Sequence, residues 1–180
     1  ARILNFPTTD NRALATWRNG TLTWVGDDEF GDSQEAYVTF LRTPTLNSRS
    51  GLFLAATGLR ANGLFQRASS YVEVAYNPVA GGIQVRTKRA GFRSSNLRAV
   101  LPAPFSSGDS LLARINVNGD LEVYKQPDGS PWELLGVVEL GFGAQAWPVP
   151  DTPAGGRIGI NSSGNVRPAR LDNFGGGEVR

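Results

Sequence analysis

No cysteine, no histidine and no methionine occur among the 180 residues. Without cysteine there is no disulfide, no thiolate zinc site and no thiol nucleophile. Without histidine the commonest general base and transition-metal ligand are gone, and with them any Ser-His-Asp triad. Chemistry in this chain would have to rest on carboxylates, Lys, Tyr or Arg. Lysine is scarce too: Lys88 and Lys125 are the only two, and arginine carries the rest of the positive charge. No apolar run approaches the ~18 residues of a membrane-spanning helix. The longest runs, such as GLFLAA (Gly51–Ala56), have the length of a strand, so no membrane insertion is expected. The missing Met at position 1 points to a processed or excised chain. A signal peptide cut before Ala1 fits that start, with a secreted or cell-surface location.

What is present suits one domain, long enough to bury a core without staples. The net charge is +2, too small for a dedicated nucleic-acid binder. Arginines crowd between Arg86 and Arg98 (RTKRAGFRSSNLR). This stretch reads either as a solvated hairpin or as a patch for an anionic partner such as an acidic glycan or phosphate.

Helical periodicity is nearly absent; only Asp10–Trp17 (DNRALATW) could form a turn, with Asp10 as its cap. Elsewhere short β-rich runs alternate with Gly, Pro, Asn and Asp. The runs are Thr21–Val25, Glu35–Arg42, Gly51–Thr57, Ser70–Asn77, Gly82–Lys88, Ser110–Val117, Leu121–Gln126, Glu133–Leu140, Gly156–Asn161 and Ala169–Phe174. Two connectors read as hairpin turns: Pro78–Gly81 (PVAG) and Asn118–Asp120 (NGD). Some ten strands at this spacing predict an all-β sandwich or barrel. Residues 1–174 are expected to form it, with the glycines of 175–180 as an exit or linker stub.

Alternation assigns faces. Ile83, Val85 and Thr87 oppose Gln84, Arg86 and Lys88. Leu111, Ala113, Ile115 and Val117 form a core side, against Leu112, Arg114 and Asn116. Val72 and Val74 alternate with Tyr71, Glu73 and Ala75, which puts an aromatic ring and a carboxylate on one outer face. Glu35–Arg42 is apolar on both sides, as a strand covered on both faces would be. In the last run Leu171 is expected to face the core, with Asp172 and Phe174 on the opposite side.

Sugars are held by aromatic faces and planar polar groups. Trp17 and Trp24 have apolar neighbours and read as core; Trp132 sits at a turn; Trp147 lies in a Pro-rich loop and reads either as the best exposed candidate or as a plug over the open end of the sandwich. The candidate ligand-binding residues are therefore Trp147, Trp132, Tyr71, Arg86 and Arg89. Calcium takes six to eight oxygens. The loop GDDEFGDS offers Asp27, Asp28, Glu29 and Asp32, without the spacing of an EF-hand. Glycoside hydrolysis needs two carboxylates roughly 5–9.5 Å apart. Glu35, Glu73 and Glu122 could supply them only if their strands are neighbours.

Five blocks, in this order, carry a family resemblance: FPTTDNRALATW, FGDSQEAYVTF, YVEVAYNPVAGGIQVRT, SGDSLLARINVNGDLEVYKQPDG and GGRIGINSSGNVRPARLDNFGGG. Together they cover the chain almost end to end. It resembles the concanavalin A-like, or laminin-G-like, jelly-roll modules of bacterial secreted proteins. In the first block, where related modules often show Phe-Asn-Arg-Ala-Asp, this chain has Phe6-Pro7-Thr8-Thr9-Asp10.

The resemblance implies two antiparallel sheets packed face to face, with the first and last strands side by side. It implies a non-catalytic carbohydrate-binding module whose partner is a glycan or cell-surface polysaccharide. The alternatives are a structural or adhesive domain, with self-association, and a glycoside hydrolase or polysaccharide lyase. Jelly-roll glucanases carry Glu-x-Asp-x-x-Glu on one strand, and that stretch is absent here. In sugar-binding modules of this kind a late Asp joins N-terminal oxygens around a structural calcium. That implies Asp172 with Asp10 or Asn5, beside the loop candidates Asp27 and Asp32.

Overall fold

The computed structural model describes residues 30–46, 48–58, 68–147, 155–163 and 169–179 in full, and 20–23, 60–62, 65–67 and 164 as backbone. The Asp10–Trp17 turn, Asn5, Trp17, Trp24, Asp10 and Asp27 to Glu29 lie outside those residues. Thirteen strands follow in order: β1 (Gly20–Thr23), β2 (Gln34–Arg42), β3 (Ser48–Thr57), β4 (Arg60–Asn62), β5 (Phe65–Arg67), β6 (Ser70–Asn77) and β7 (Gly82–Lys88) come first. Then come β8 (Asn96–Pro102), β9 (Ser110–Ile115), β10 (Asp120–Gln126), β11 (Glu133–Glu139), β12 (Arg157–Gly164) and β13 (Arg170–Glu178). No helix occurs among the described residues.

Two sheets form, antiparallel throughout. One has six strands in the order β1-β12-β3-β6-β7-β8; the other has five, β11-β10-β9-β2-β13. Strands β4 and β5 make a small separate hairpin. The core lies between the sheets, because alternate residues of each point inward. Leu52, Leu54, Val72, Val74, Ile83, Val85, Ile158 and Ile160 come from the six-stranded sheet. Val38, Phe40, Leu111, Ala113, Ile115, Leu121, Val123 and Leu171 come from the other. Phe105 closes one end, edge-on to Phe40 at 5.5 Å and 5.2 Å from Tyr76 between ring centres. The sequence pattern thus predicts the class, an all-β two-sheet sandwich, and the faces of β7 and β9.

Local chemistry explains the turns. Asn77 Oδ1 accepts the amides of Val79 and Ala80, which folds the chain back from β6 into β7. Asn116 to Asp120 close the β9–β10 hairpin with Gly119 at φ 85°. Strand β9 therefore ends at Ile115, and Val117, expected inside, is exposed on that turn. Gln34 ties the sheets together: fully buried, it accepts the amide of Ala55 and donates to the carbonyls of Gly31, Phe30 and Gly156.

Asp109 anchors the loop between β8 and β9. Its carboxylate accepts the amides of Ser106 and Asp128 and the Lys125 ammonium at 2.9 Å, and Lys125 also lies over the Phe105 ring. Burial alone would lift this carboxyl's pKa, but the two amides and the ammonium outweigh it and hold it below the usual range.

Three further expectations fail. Strand β2 is not covered on both sides: Tyr37 and Leu41 emerge on the outer face of the five-stranded sheet. The glycines after Phe174 are not a linker stub, for Gly175, Gly176 and Gly177 pair with Tyr37, Ala36 and Glu35 inside β13. Space is short at two of the three: a Cβ on Gly175 would meet the Tyr37 hydroxyl, the end of a side chain that can swing aside, at 2.6 Å. One on Gly176, at φ 153°, would meet the Glu35 carbonyl at 2.2 Å. Finally, a bulge between Asp172 and Gly175 inserts Asn173 at φ 48°, shifting the alternation. Phe174 therefore packs against the core, as Leu171 does, rather than beside Asp172.

Candidate functional site

The outer face of the six-stranded sheet carries the densest unusual chemistry. Register places Phe53, Glu73 and Arg86 side by side on β3, β6 and β7, with Tyr71 and Lys88 as the next pair along. One row further are Asn161, Gly51, Ala75 and Gln84. The middle of the row is small. Gly51 puts no side chain between Arg49 and Phe53, so Arg49 can stretch along β3 toward β6. Gly51 is also forced by packing, since a Cβ there would come within 2.1 Å of the Val74 carbonyl oxygen.

Glu73 is the centre. Its residue is 1% exposed. Oε1 accepts Arg49 Nε at 2.9 Å and also the side-chain amide of Asn161. Oε2 is buried and accepts nothing among the described residues. A buried carboxylate oxygen without a donor is costly, so such an atom calls for an explanation. The Phe53 and Tyr71 rings meet edge-on at 4.6 Å beside it. The Tyr71 phenol is raised above its ordinary pKa by burial first and by the Glu73 charge second, with Arg49 and Arg86 pulling the other way. It stays a neutral hydroxyl. Arg86 Nε donates to Gln84 Oε1 at 3.4 Å, and Gln84 also accepts from Asn77.

Of the sequence candidates, Tyr71 and Arg86 come together here. Arg89 does not: it lies past the end of β7, where its amide donates to Gln145 Oε1. Trp132 is exposed in the loop between β10 and β11, on the other sheet. Trp147 is only 5% exposed and belongs to the core, so of its two readings the buried plug holds and the exposed ligand contact does not. The reason is the loop before it. Arg98 donates to the carbonyls of Glu139, Leu140, Phe142 and Ala144, Gln145 reaches the Ser94 carbonyl, and the Trp147 amide returns to Leu140. The chain is folded back and the indole turned inward. Arg98 is therefore a loop anchor rather than part of an anion patch.

Two residues of the site, Arg49 and Asn161, had no sequence signal of their own. Arg49 is one of eighteen cations, and Asn161 ends a run read only as a strand. The alternation of Arg49, Gly51 and Phe53 was the usable clue.

Glu35 and Glu122 do not join Glu73. They flank Arg114 on the outer face of the five-stranded sheet, with Arg114 Nη2 to Glu35 Oε2 at 2.8 Å and Nη1 to Glu122 Oε2 at 3.8 Å. Tyr124 and Asn116 donate to the two Glu122 oxygens. The Tyr124 hydroxyl is the main cause holding the Glu122 carboxyl below its usual range. For calcium, no group of three acidic side chains among the described residues could hold a metal ion. Asp32 is exposed before β2, and Asp172 Oδ1 accepts the amide of Asn173 in the bulge. The other two candidates, Asp10 and Asp27, lie outside the described residues.

No family model and no curated protein sequence matches the chain. Solved structures do. The carbohydrate binding module CBM66 from Bacillus subtilis matches with a TM-score of 0.59 at 10% identity, over 93% of this chain and 92% of that one. The globular domain of T. cruzi calreticulin matches at 0.54 and 9% identity, over 94% and 72%. The GH43 protein BlXynB from Bacillus licheniformis matches at 0.50 and 17% identity, over 87% of this chain. This chain spans only 28% of the length of BlXynB. These likenesses, with the two antiparallel sheets, make the fold a concanavalin A-like sandwich.

Proposed function

We propose that the chain is a non-catalytic carbohydrate-binding module that takes a glycan on the outer face of its six-stranded sheet. The observation that carries this reading is Glu73, whose Oε2 is buried beside Phe53 and Tyr71 with no donor among the described residues. A hydroxyl is the kind of donor this oxygen lacks, and a glycan that displaces its cover would supply one. Arg49, Asn161 and Gln84 fix the surrounding polar groups, and Tyr71 offers ring surface. The solved structure of CBM66, a carbohydrate binding module by its name, supports the same reading through shared fold.

Non-catalysis is supported by what stands next to Glu73. Its neighbours are an amide, Asn161, and a cation, Arg49, whereas a glycosidase needs a second carboxylate facing the first. Glu35 and Glu122 sit on the other sheet. An extracellular setting belongs to the same proposal, since that is where a module meets polysaccharide.

The test is a glycan microarray with the wild-type chain and with Tyr71→Ala. Wild-type binding that Tyr71→Ala abolishes, with its melting temperature kept, is the expected result. No signal from any glycan, or equal signals from both chains, overturns the proposal.

A second reading, a structural or adhesive domain, has one observation in its favour. Tyr37, Leu134 and Val137 are exposed apolar side chains on the five-stranded sheet. Concentration-dependent self-association in analytical ultracentrifugation would favour it.

A further inference from the structure

The charges on the site select among glycans, and we infer that the ligand is an acidic polysaccharide carrying ring carboxylates, a uronate polymer. This rests on the glycan-binding reading above and narrows it. Strands β3, β6 and β7 present four charged side chains on this face: Arg49, Glu73, Arg86 and Lys88. Glu73 and Arg49 are matched to each other at 2.9 Å. That leaves two cations, Arg86 and Lys88, two residues apart on β7.

Both cations have free donors. Arg86 uses only Nε, toward Gln84 Oε1, so its two terminal nitrogens are unengaged among the described residues. Lys88 makes no hydrogen bond or ion pair there. Gln84 thus holds the guanidinium by its inner nitrogen and leaves the outer fork open. Two parallel N–H groups in that fork match the two oxygens of a carboxylate.

The spacing fits one polymer lying across the pairs. Tyr71 is the register partner of Lys88, and Glu73 of Arg86; the two pairs are roughly 7 Å apart along the strand. A sugar ring against Tyr71 places its carboxylate toward the Arg86 fork, with Lys88 beside it. The open cations read the acid.

The test uses three polymers: polygalacturonate, the same polymer with its carboxyl groups reduced to alcohols, and dextran sulfate. Affinity is read by isothermal titration calorimetry at low and moderate salt. The expected result is binding of polygalacturonate that weakens as salt rises. Carboxyl reduction should weaken it about tenfold, and Arg86→Gln and Lys88→Gln should each do likewise, with unchanged melting temperatures. Equal binding of the reduced polymer, or unchanged binding by both variants, overturns the inference. Binding of dextran sulfate without polygalacturonate overturns it in favour of sulfate. Binding of a neutral glycan on the array, with none to polygalacturonate, overturns this inference and leaves the broader reading standing. Silence from every polymer and from the array overturns both.

Discussion

Both outer faces of the sandwich carry acid beside arginine, yet they are built in opposite ways. On the five-stranded sheet, Arg114 lies between Glu35 and Glu122, and Tyr124 and Asn116 fill the remaining places on Glu122. The acids are about a quarter to a third exposed, and water screens them. On the six-stranded sheet, Glu73 is buried, one oxygen takes two donors, and among the described residues the other takes none and Arg86 and Lys88 keep free ends. The first arrangement is complete by itself. The second leaves an acceptor and two cations unmet among the described residues. Unmet hydrogen-bonding capacity, more than charge or aromatic content, distinguishes a surface from a site.

The contrast can be broken by substitution. The largest effect is expected for Glu73→Ala, which leaves the Asn161 amide buried without its acceptor and Arg49 without its anion. Arg49 is one-third exposed, which softens the penalty, so a loss of about 3 kcal/mol is expected in urea denaturation. A loss below that seen for Glu35→Ala would show that Glu73 is not the better-anchored acid. Next is Gly51→Ala, expected to cost about 2 kcal/mol as the new methyl pushes against the Val74 carbonyl, and to weaken glycan binding as β3 and β6 separate. Wild-type stability would mean that the strands have room to part.

Asp109 sharpens the comparison, being a buried acid whose donors are all supplied by the protein. Its folded pKa lies below the unfolded value near 3.8, so its contribution is fully present above that value. It is lost as pH falls through the lower, folded pKa. Asp109→Asn should cost about 1–2 kcal/mol near neutrality and reduce the acid-side fall in stability below pH 3.8. Parallel stability–pH curves for the two proteins would refute this. The smallest effect belongs to Glu35→Ala: less than about 1 kcal/mol in the same denaturation series, and less again in high salt. A larger loss would make the exposed face a stabilising network and erase the contrast.

Much of this fold can be read from residues alone, because alternation is a property of each strand by itself. Strands β6, β7 and β10 fall where alternating apolar runs between turn residues put them. Strand β8 escapes notice because its first residues, Asn96–Arg98, close the arginine-crowded stretch that reads as a solvated hairpin; it pairs because β7 offers it an edge. Trp147 misleads because its Pro-rich flank says surface, while four carbonyl bonds from a distant Arg98 decide otherwise. In the site, Tyr71 and Arg86 are legible from the face they share. Arg49 and Asn161 reach Glu73 from two other strands, and that convergence depends on sheet order. Strand order is a long-range outcome that no local pattern encodes.

One consequence follows from the glycine-rich β13. It pairs with β2, whose other neighbour is β9, so residues 34–42 wait on that side for partners more than a hundred positions away. Loop closure on that scale makes late, slow assembly the expectation. Until residues 170–178 dock, β2 is an open edge bearing Tyr37 and Leu41, the kind of edge on which chains stack. Gly176, with no room for a Cβ against the Glu35 carbonyl, therefore has a kinetic side as well: it lets the closing strand lie against β2 and cover that edge.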